Sequence, residues 1–335
     1  MGIGYGKLLL FGEHAVVHGY PAVGIGCDRR TAVTFDGERE PGDSSATIAI
    51  ADRQVVACGL AGEDAAAFAR AVECGVSAVG RSKTPGFITI ESDLPAGVGL
   101  GSSAALAAAI AFETLAPAKP DGSGDRTEHD KHMKRRVWEL AHDIERIYHG
   151  TPSGIDTALA VYRGTLAAYP EPPGPPRLES LDPQSDMVIV YGYIPRTRAT
   201  GTLVASIRNA LETGDSATRD ALEALGSLSR RAIEMLGARC ADAGAFGELA
   251  EEAHRQLRSL GLSTPELEEC LAAGRRAGAL GGKLSGAGGG GAWFLVFDER
   301  PRAEAALREL GARLRGVPLS ILPISSADSP ASPRA

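Results

Sequence analysis

The fold of this chain is decided by the stretch Leu94-Pro95-Ala96-Gly97-Val98-Gly99-Leu100-Gly101-Ser102-Ser103-Ala104-Ala105, which is the most clearly marked start of a helix in the sequence. Its three glycines alternate along the chain, and each removes a Cβ and allows positive φ, so several backbone N–H groups can turn toward one point. The apolar segment 104–115 follows and predicts a buried helix with a serine at its N-cap. Because a helix N-terminus carries about half a positive charge, the turn and the helix together predict a cradle for a phosphate group.

The same stretch differs from two common phosphate-binding loops. No lysine follows its glycines as in a Walker A loop, and their alternate spacing is not that of the dinucleotide fingerprint. Ser102 and Ser103 add hydroxyl groups that can contact phosphate oxygens or a Mg²⁺ ion. From the residues alone, a tight strand-to-helix turn that binds nothing remains the alternative.

A second glycine-rich stretch, Lys283-Leu284-Ser285-Gly286-Ala287-Gly288-Gly289-Gly290-Gly291, lies in a loop predicted over 281–291, before a predicted strand over 292–297. So many glycines are conformationally costly, and a surface hairpin does not require them. Close approach of the backbone to a ligand, or to a neighbouring element, explains them. The two explanations are compatible.

Two carboxylates lie near a third candidate feature, a helix predicted over 134–149 that Gly150 terminates. Glu145 lies beside the apolar stripe of this helix, and Asp156 follows the turn Thr151-Pro152-Ser153-Gly154. A carboxylate in a cleft can act as a general base or as a metal ligand. Taken singly, each residue is as readily explained as a helix cap or a solvated charge.

Lys7 lies in the predicted strand Gly6-Lys7-Leu8-Leu9-Leu10, close to Glu13 and His14. A lysine within such an apolar run is either a charge at a sheet edge or a cation that points inward. A lone histidine such as His14 is more often structural than a ligand.

Composition limits the class of protein. The 335 residues suggest about two domains, and 44% hydrophobic with 23% charged residues exclude a disordered chain. The net charge of −7 leaves no global basic excess for nucleic acid or acidic lipid. Five cysteines without metal-ligand spacing predict reduced thiols in a cytoplasmic protein.

The order of predicted elements favours an α+β protein, because strands and helices do not alternate strictly. No apolar run approaches the roughly 20 residues that a membrane span needs, and the N-terminus lacks the layout of a signal peptide. The proline-rich stretch 170–176 is a candidate boundary, and residues 326–335 are expected to be a disordered tail.

These features, in this order, resemble the GHMP kinase family, which includes galactokinases and the homoserine, mevalonate and phosphomevalonate kinases. The resemblance rests on 6–19, 94–105 and 283–291, which together span nearly the whole chain. Within the family, Gly12-Glu13-His14-Ala15-Val16-Val17-His18-Gly19 and 145–156 are most similar to the mevalonate kinase branch. The departures are Gly4-Tyr5, where the family usually has Ala-Pro, and Thr151, where it commonly has Asn.

The resemblance implies two α+β domains with the active site in the cleft between them. The N-terminal domain, expected over 1–172, would be ribosomal protein S5 domain 2-like, and the C-terminal domain, expected over 185–325, a ferredoxin-like α/β sandwich. The implied activity is ATP-dependent phosphorylation of an alcohol, here the 5-hydroxyl of mevalonate, with Mg²⁺. Mevalonate and ATP are the implied partners, without nucleic acid or membrane; a homodimer is left open.

The resemblance also implies residue roles, position by position. Asp156 is the expected base, with Lys7 beside the reacting hydroxyl, and Ser103 and Glu145 correspond to Mg²⁺ positions. The expected nucleotide contacts are Ser92, Gly97, Val98, Gly99, Leu100, Gly101, Ser102 and Ser103. The expected substrate contacts are Glu13, His14, Thr197, Gly286, Ala287 and Gly288. The last three belong to the second glycine-rich stretch, which the resemblance implies supports the phosphate loop and lines the cleft.

Two alternatives stay open at this stage. A GHMP kinase could act on another small alcohol: phosphomevalonate, a sugar, or a different hydroxyl of mevalonate. A non-catalytic, ligand-sensing family member is the second, and the presence of Lys7, Glu145 and Asp156 argues against it.

Overall fold

Two β-sheets and the helices packed on them make up the fold. The computed structural model describes residues 1–37, 47–52, 55–56, 63–80, 85–115, 126–150, 152–238 and 241–324. The expected tail over 326–335 and Thr151 lie outside these residues. The helices are α1 (Glu63–Ala78), α2 (Ser102–Leu115), α3 (Arg126–His149), α4 (Ile155–Tyr162), α5 (Thr200–Glu212), α6 (Ser216–Gly237), α7 (Ala243–Ser259), α8 (Pro265–Arg276) and α9 (Arg300–Arg313).

The first sheet has seven strands within the described chain, and all but one of its strand pairs are antiparallel. They are β1 (Gly2–Phe11), β2 (Ala22–Asp36), β3 (Thr47–Asp52), β4 (Val55–Val56), β5 (Phe87–Ser92), β6 (Thr165–Tyr169) and β7 (Arg177–Leu181). The long β2 pairs with β1, β5 and β6, so it is the central strand that connects the rest of the sheet. The sequence predicted two separate short strands here, over 22–25 and 31–35, because the charged segment between them hides the continuity of the strand.

Helix α2 packs closely against β1 because the contact is formed by alanines on the helix and glycines on the strand. Its alanines are buried, and a Cβ on Gly4 would collide with the carbonyl oxygen of Ala105. This close approach fixes the N-terminus of α2 relative to Lys7, which lies further along β1. The Ala-rich composition of α2 therefore positions the glycine turn that precedes it.

The second sheet is antiparallel, in the order β11-β8-β10-β9. Its strands are β8 (Val188–Ile194), β9 (Gly281–Leu284), β10 (Gly291–Phe297) and β11 (Leu319–Pro323). β10 is buried at every position, as expected for a central strand covered on both faces. The predicted loop over 281–291 therefore needs correction, since residues 281–284 form β9, Gly291 begins β10 and only 285–290 form a turn.

Side chains from the second half of the chain bind the backbone of the first sheet. The Ser285 hydroxyl donates to the Leu9 carbonyl oxygen at 2.9 Å and accepts from the Leu9 N–H at 3.0 Å. The Ser229 hydroxyl on α6 donates to the Pro21 carbonyl oxygen at 2.6 Å. All of these groups are buried, so the two halves are held together by satisfied hydrogen bonds as well as by apolar contact.

The proline-rich stretch 170–176 connects β6 to β7 within one sheet. The first sheet thus continues to Leu181, past the boundary expected at residue 172. Within the described ranges, none of the helices combines the length and the apolar character that crossing a membrane requires.

Candidate active site

The first glycine-rich turn has the backbone that its glycines predict. Gly97, Gly99 and Gly101 have φ of 76°, 87° and 76°, values that favour glycine. The Gly101 carbonyl accepts from the N–H of Ala105, so α2 starts directly after Gly101. Ser102 and Ser103 are consequently in the first helical turn, and the prediction of a serine at the N-cap is wrong by one residue. Their hydroxyls and the unpaired N–H groups of a first turn can face the same ligand.

Lys7 and Asp156 meet beside this turn, although they are far apart in the sequence. Lys7 Nζ lies 3.2 Å from Asp156 Oδ2, and the Lys7 N–H donates to the Leu100 carbonyl oxygen at 2.9 Å. A Cβ at Gly101 would lie 2.8 Å from Lys7 Cγ. The glycine therefore leaves the space that the lysine stem fills, in addition to allowing the positive φ.

Asp156 lies in the first turn of α4, a helix that the sequence did not predict. Gly154 precedes α4 with φ of 80°, and no side chain caps the helix. The segment is short and almost wholly apolar after Asp156, so it has no helical periodicity to read. The turn before it, correctly predicted from Pro152 and Gly154, leaves the Asp156 carboxylate 40% exposed beside Lys7.

Ser103, Glu145 and His149 form a second polar cluster next to the turn. The Ser103 hydroxyl donates to Glu145 Oε1 at 2.9 Å, and His149 Nε2 lies 3.1 Å from Ser103 Oγ and 3.3 Å from Glu145 Oε1. Burial raises the pKa of Glu145 to about 7, against the opposing effect of the Ser103 hydrogen bond. The sequence missed His149, whose spacing of four residues from Glu145 on α3 was the available signal.

This cluster suits a divalent cation. Glu145 Oε2 is buried and has no hydrogen-bond partner among the described residues, so one carboxylate oxygen is left for a ligand. Mg²⁺ prefers oxygen ligands and is usually held by one or two carboxylates together with substrate phosphates. The described part of the chain has no group of three or more His, Cys, Asp or Glu residues able to hold an ion alone. The residues thus fit a cation that arrives with a phosphate substrate.

Glu13, an expected substrate contact, lies in a buried ion pair. Its carboxylate is fully buried and forms an ion pair with Lys283, which is also fully buried. Lys283 donates as well to the Leu284 carbonyl oxygen at 2.8 Å. Burial raises the pKa of Glu13 and lowers the pKa of Lys283, while the charge of each partner opposes the shift. Glu13 therefore ties the first motif to β9 through one carboxylate oxygen, while Oε2 has no hydrogen-bond partner among the described residues.

His14 has φ of 58°, which is uncommon for a residue with a side chain and marks a strained position. Its Nε2 lies 3.1 Å from the Ala287 carbonyl oxygen, and burial lowers the pKa of its ring. Thr197 donates to the Gly289 carbonyl oxygen through both its N–H, at 2.8 Å, and its hydroxyl, at 3.2 Å. The residues expected at the substrate end thus converge on the second glycine-rich turn.

That turn approaches neighbouring backbone closely. Gly286, Gly288, Gly289, Gly290 and Gly291 all have positive φ. A Cβ on Gly288 would collide with the Leu262 carbonyl oxygen, and one on Gly290 with the Pro195 carbonyl oxygen. Tight packing against a neighbouring element, one of the two explanations that the sequence offered, accounts for these glycines.

Arg196 is a cation of the site that the sequence did not select. A Cβ on Gly99 would lie 2.6 Å from Arg196 Nη2, and a Cβ on Gly291 would lie 2.8 Å from Arg196 Nε. The guanidinium therefore lies between the two glycine-rich turns. Burial lowers the pKa of Arg196, and the negative charge of Asp156 opposes that effect. Arg196 donates to the Thr200 hydroxyl at 2.6 Å, but its buried Nε has no partner among the described residues.

Ser92 is held by its own sheet. Its hydroxyl lies 2.8 Å from the Thr31 hydroxyl and accepts from the Leu94 N–H at 3.2 Å. The side chain remains partly exposed, on the approach to the glycine turn.

Comparisons with known proteins agree with this arrangement. Residues 66–164 match the family model for the GHMP kinases N terminal domain, and residues 221–316 match that for GHMP kinases C terminal. A mevalonate kinase from Pyrococcus abyssi is 31% identical over 319 residues, covering 89% of each chain, and one from Aeropyrum pernix is 32% identical over 302 residues, covering 88% of this chain and 87% of that protein. The crystal structure of L. major mevalonate kinase in complex with R-mevalonate has a TM-score of 0.74 at 22% identity, covering 97% of this chain and 96% of that one, which shows a shared fold.

The two family models match a segment in each half of the chain, and both glycine-rich turns and Asp156 lie within those segments. The two mevalonate kinases of 31% and 32% identity match 89% and 88% of the chain. The chain therefore belongs to the GHMP kinase family.

Proposed function

We propose that the protein catalyses ATP-dependent phosphorylation of the 5-hydroxyl group of mevalonate, giving 5-phosphomevalonate and ADP. One observation carries this proposal: Asp156, 3.2 Å from Lys7 and 40% exposed, lies beside a glycine turn with a helix N-terminus, next to the Ser103–Glu145 pair. Relatives about 30% identical over most of their length are mevalonate kinases, which supports mevalonate as the acceptor.

The triphosphate is held by the backbone from Gly97 to Gly101 and the first turn of α2. The N–H groups and the helix dipole there are positive and already oriented, so little reorganisation is needed when charge develops. Ser102 and Ser103 add hydroxyl donors, and Ser92 contacts the nucleotide from the adjoining strand. Phosphoryl transfer depends mainly on such positioning and charge stabilisation.

Asp156 accepts the proton from the 5-hydroxyl as the alcohol oxygen forms its bond to the γ-phosphorus and the bond from that phosphorus to the bridging oxygen of ADP breaks. Lys7, whose Nζ lies 3.2 Å from Asp156 Oδ2, stabilises the negative charge that develops on the alcohol oxygen. The turn before α4 leaves the carboxylate partly exposed.

Ser103 and Glu145 would hold Mg²⁺, with His149 orienting both side chains. The ion would supply positive charge to offset that of the phosphates. Glu145 must release its proton to serve as a ligand, because its pKa is about 7 in the free protein. Asp156 is left free of metal to take the substrate proton.

The acceptor carries a carboxylate, which requires a cation of its own. Arg196 suits this task because it is partly buried, lies between the two glycine-rich turns and has no partner for Nε within the described ranges. His14 and Thr197, with Gly286, Ala287 and Gly288, shape the same end of the cleft. Glu13 supports this wall from behind through Lys283.

We also propose that the two sheets define the two domains, the first extending to Leu181 and the second spanning 185–325. The homodimer and the cytoplasmic location stay predictions from the sequence.

A panel of alcohols tests the proposed function. Mevalonate, phosphomevalonate, galactose and homoserine are supplied separately with ATP and Mg²⁺, and ADP release is followed by a coupled assay. We expect turnover with mevalonate and a product whose phosphorus couples to two protons, as in a phosphate ester of the primary 5-hydroxyl. An uncoupled phosphorus would place the phosphate on the tertiary hydroxyl, and ADP release with another alcohol alone would refute mevalonate as the substrate.

A further inference from the structure

The corner that presents Asp156 is fixed at one atom, the carbonyl oxygen of Gly154. Three donors bind it: the Ala158 N–H at 3.1 Å, the Thr157 hydroxyl at 3.1 Å and the Trp138 indole N–H at 3.2 Å. The first two belong to α4 itself. Of the three, only Trp138 connects this corner to another element, since it lies on α3.

Helix α3 also carries Glu145. Trp138 and Glu145 are seven residues apart, two helical turns, and so lie on the same face. One helix therefore supports the carboxylate proposed for Mg²⁺ and, through a single indole N–H, the turn that bears the proposed base.

The neighbourhood of Gly154 is enclosed, so a lost donor would not be replaced readily by solvent. Trp138 is 6% exposed and Thr157 is 1% exposed. A Cβ on Gly154 would lie 2.8 Å from Pro176 Cδ and 3.4 Å from His142 Cε1. Gly154 has positive φ, and no side chain caps the helix that follows it. Because glycine is conformationally permissive, residue 154 alone does not fix the conformation of the turn.

We propose that Trp138 is a positioning residue for phosphoryl transfer: its indole N–H, acting through the Gly154 carbonyl, places Asp156 relative to Lys7 and to the phosphate end of the cleft. The inference rests on the proposed function. A displacement of about 1 Å at a reacting group can cost about a hundred-fold in rate. Substrate binding depends on other residues, so the effect belongs to kcat.

The chain offers a matched control, because it has two tryptophans. Trp293 is fully buried in β10, and its indole N–H has no hydrogen-bond partner among the described residues. Trp138→Phe and Trp293→Phe make the same chemical change, yet only the first removes a hydrogen bond. Thr157→Val removes a donor from the same carbonyl but leaves the connection to α3 intact.

We expect Trp138→Phe to lower kcat about ten-fold or more, with the KM values for ATP and mevalonate changed by less than about two-fold. Trp293→Phe should keep the wild-type kcat, and Thr157→Val should lie between the two. If Trp138→Phe folds poorly, benzothienylalanine replaces tryptophan in the Trp293→Phe background, which keeps the ring shape at position 138 and removes only the donor.

A double-mutant cycle separates positioning from general loosening of the fold. In the Asp156→Asn background, Trp138→Phe should no longer change the residual turnover, because there is no base left to position. The proposal is overturned if Trp138→Phe keeps the wild-type kcat, if it raises KM alone, or if its effect persists without Asp156. Failure of the wild-type protein to phosphorylate mevalonate would instead overturn the proposed function, and the same cycle would then be run with whichever alcohol is accepted.

Discussion

Lys7 and Asp156 share an ion pair in which the two partners differ in exposure. Nζ and Oδ2 are 3.2 Å apart, but Lys7 is 5% exposed and Asp156 is 40% exposed. The buried Lys7 stem extends from β1 and packs against Gly101, whereas the Asp156 carboxylate is partly open to solvent. An anchored cation beside an accessible carboxylate is suited to a base that must be charged before it takes a proton.

Asp156→Asn should lower kcat by about a thousand-fold, in the range that removal of a general base produces. The amide keeps an oxygen near Lys7, so the fold and the binding of ATP should be preserved. Steady-state kinetics and ATP calorimetry check this, with the exposed Asp143→Asn as the control. Ordinary turnover in Asp156→Asn would disprove the assignment of the base.

Gly101→Ala and Gly97→Ala separate two roles of glycine in the same turn. Both positions have φ of 76°, so alanine is strained at each by about 1–2 kcal/mol. At Gly97 the new Cβ would meet nothing within 4 Å, whereas at Gly101 it would lie 2.8 Å from Lys7 Cγ. Gly101→Ala should therefore lower kcat about ten-fold more than Gly97→Ala does, because it also displaces Lys7. Equal kcat values for the two variants would show that Lys7 does not depend on the missing Cβ.

Ser103→Ala should mainly weaken the use of Mg²⁺ with ATP. The change removes the donor that orients Glu145 Oε1 and the neighbour of His149 Nε2. Loss of such an orienting contact typically costs about ten-fold or more in metal affinity. Titration of the rate with Mg²⁺ measures it, with the exposed Ser227→Ala on α6 as the control. Unchanged dependence on Mg²⁺ and ATP would contradict the metal role.

The sequence predicted some parts of this site and not others, for physical reasons. The glycine turn at 97–101 was predictable because its chemistry is local: alternating glycines, then serines, then an apolar helix. The short helix α4 was missed because its residues after Asp156 are nearly all apolar and leave no period. β7 was missed because the prolines of 170–176 read as a boundary, although they only turn the chain back into the same sheet.

The long-range pairs depend on tertiary structure in a way that spacing cannot show. Glu13 and Lys283 are 270 residues apart, and nothing local to either residue predicts that they meet inside the protein. The family resemblance implies a substrate contact for Glu13 by its position in the motif, and that role stays a prediction. The ion pair with Lys283 on β9 is a separate contact, which the resemblance did not indicate.

Glu145→Gln should stabilise the protein at high pH and have little effect at low pH. The folded-state pKa is about 7, above the ordinary 4.5, so the folded protein binds this proton more tightly than the unfolded chain does. Stability is therefore lost as pH rises from the unfolded pKa through the folded one, and the loss is complete above about pH 7, where it reaches about 3 kcal/mol.

Glutamine cannot ionise, so this loss disappears in the variant. Urea unfolding of both proteins at about pH 5 and about pH 8 measures the difference, and the gain from Glu145→Gln should be larger at the higher pH. The exposed Glu139→Gln is the control. A gain of equal size at both pH values would mean that Glu145 is not held in its protonated form by burial.

Lys283→Met should destabilise the protein severely, by about 3–5 kcal/mol, because it leaves the Glu13 carboxylate buried without a cation. Methionine can occupy the space of the lysine stem near Phe11 and Phe294, so the change is mainly one of charge. In the double variant Glu13→Gln/Lys283→Met neither charge remains, and most of the lost stability should return. Urea unfolding of Glu13→Gln, Lys283→Met and the double variant gives the coupling free energy of the pair. A double variant as unstable as Lys283→Met would show that packing around Lys283, rather than an unpaired charge, determines the cost.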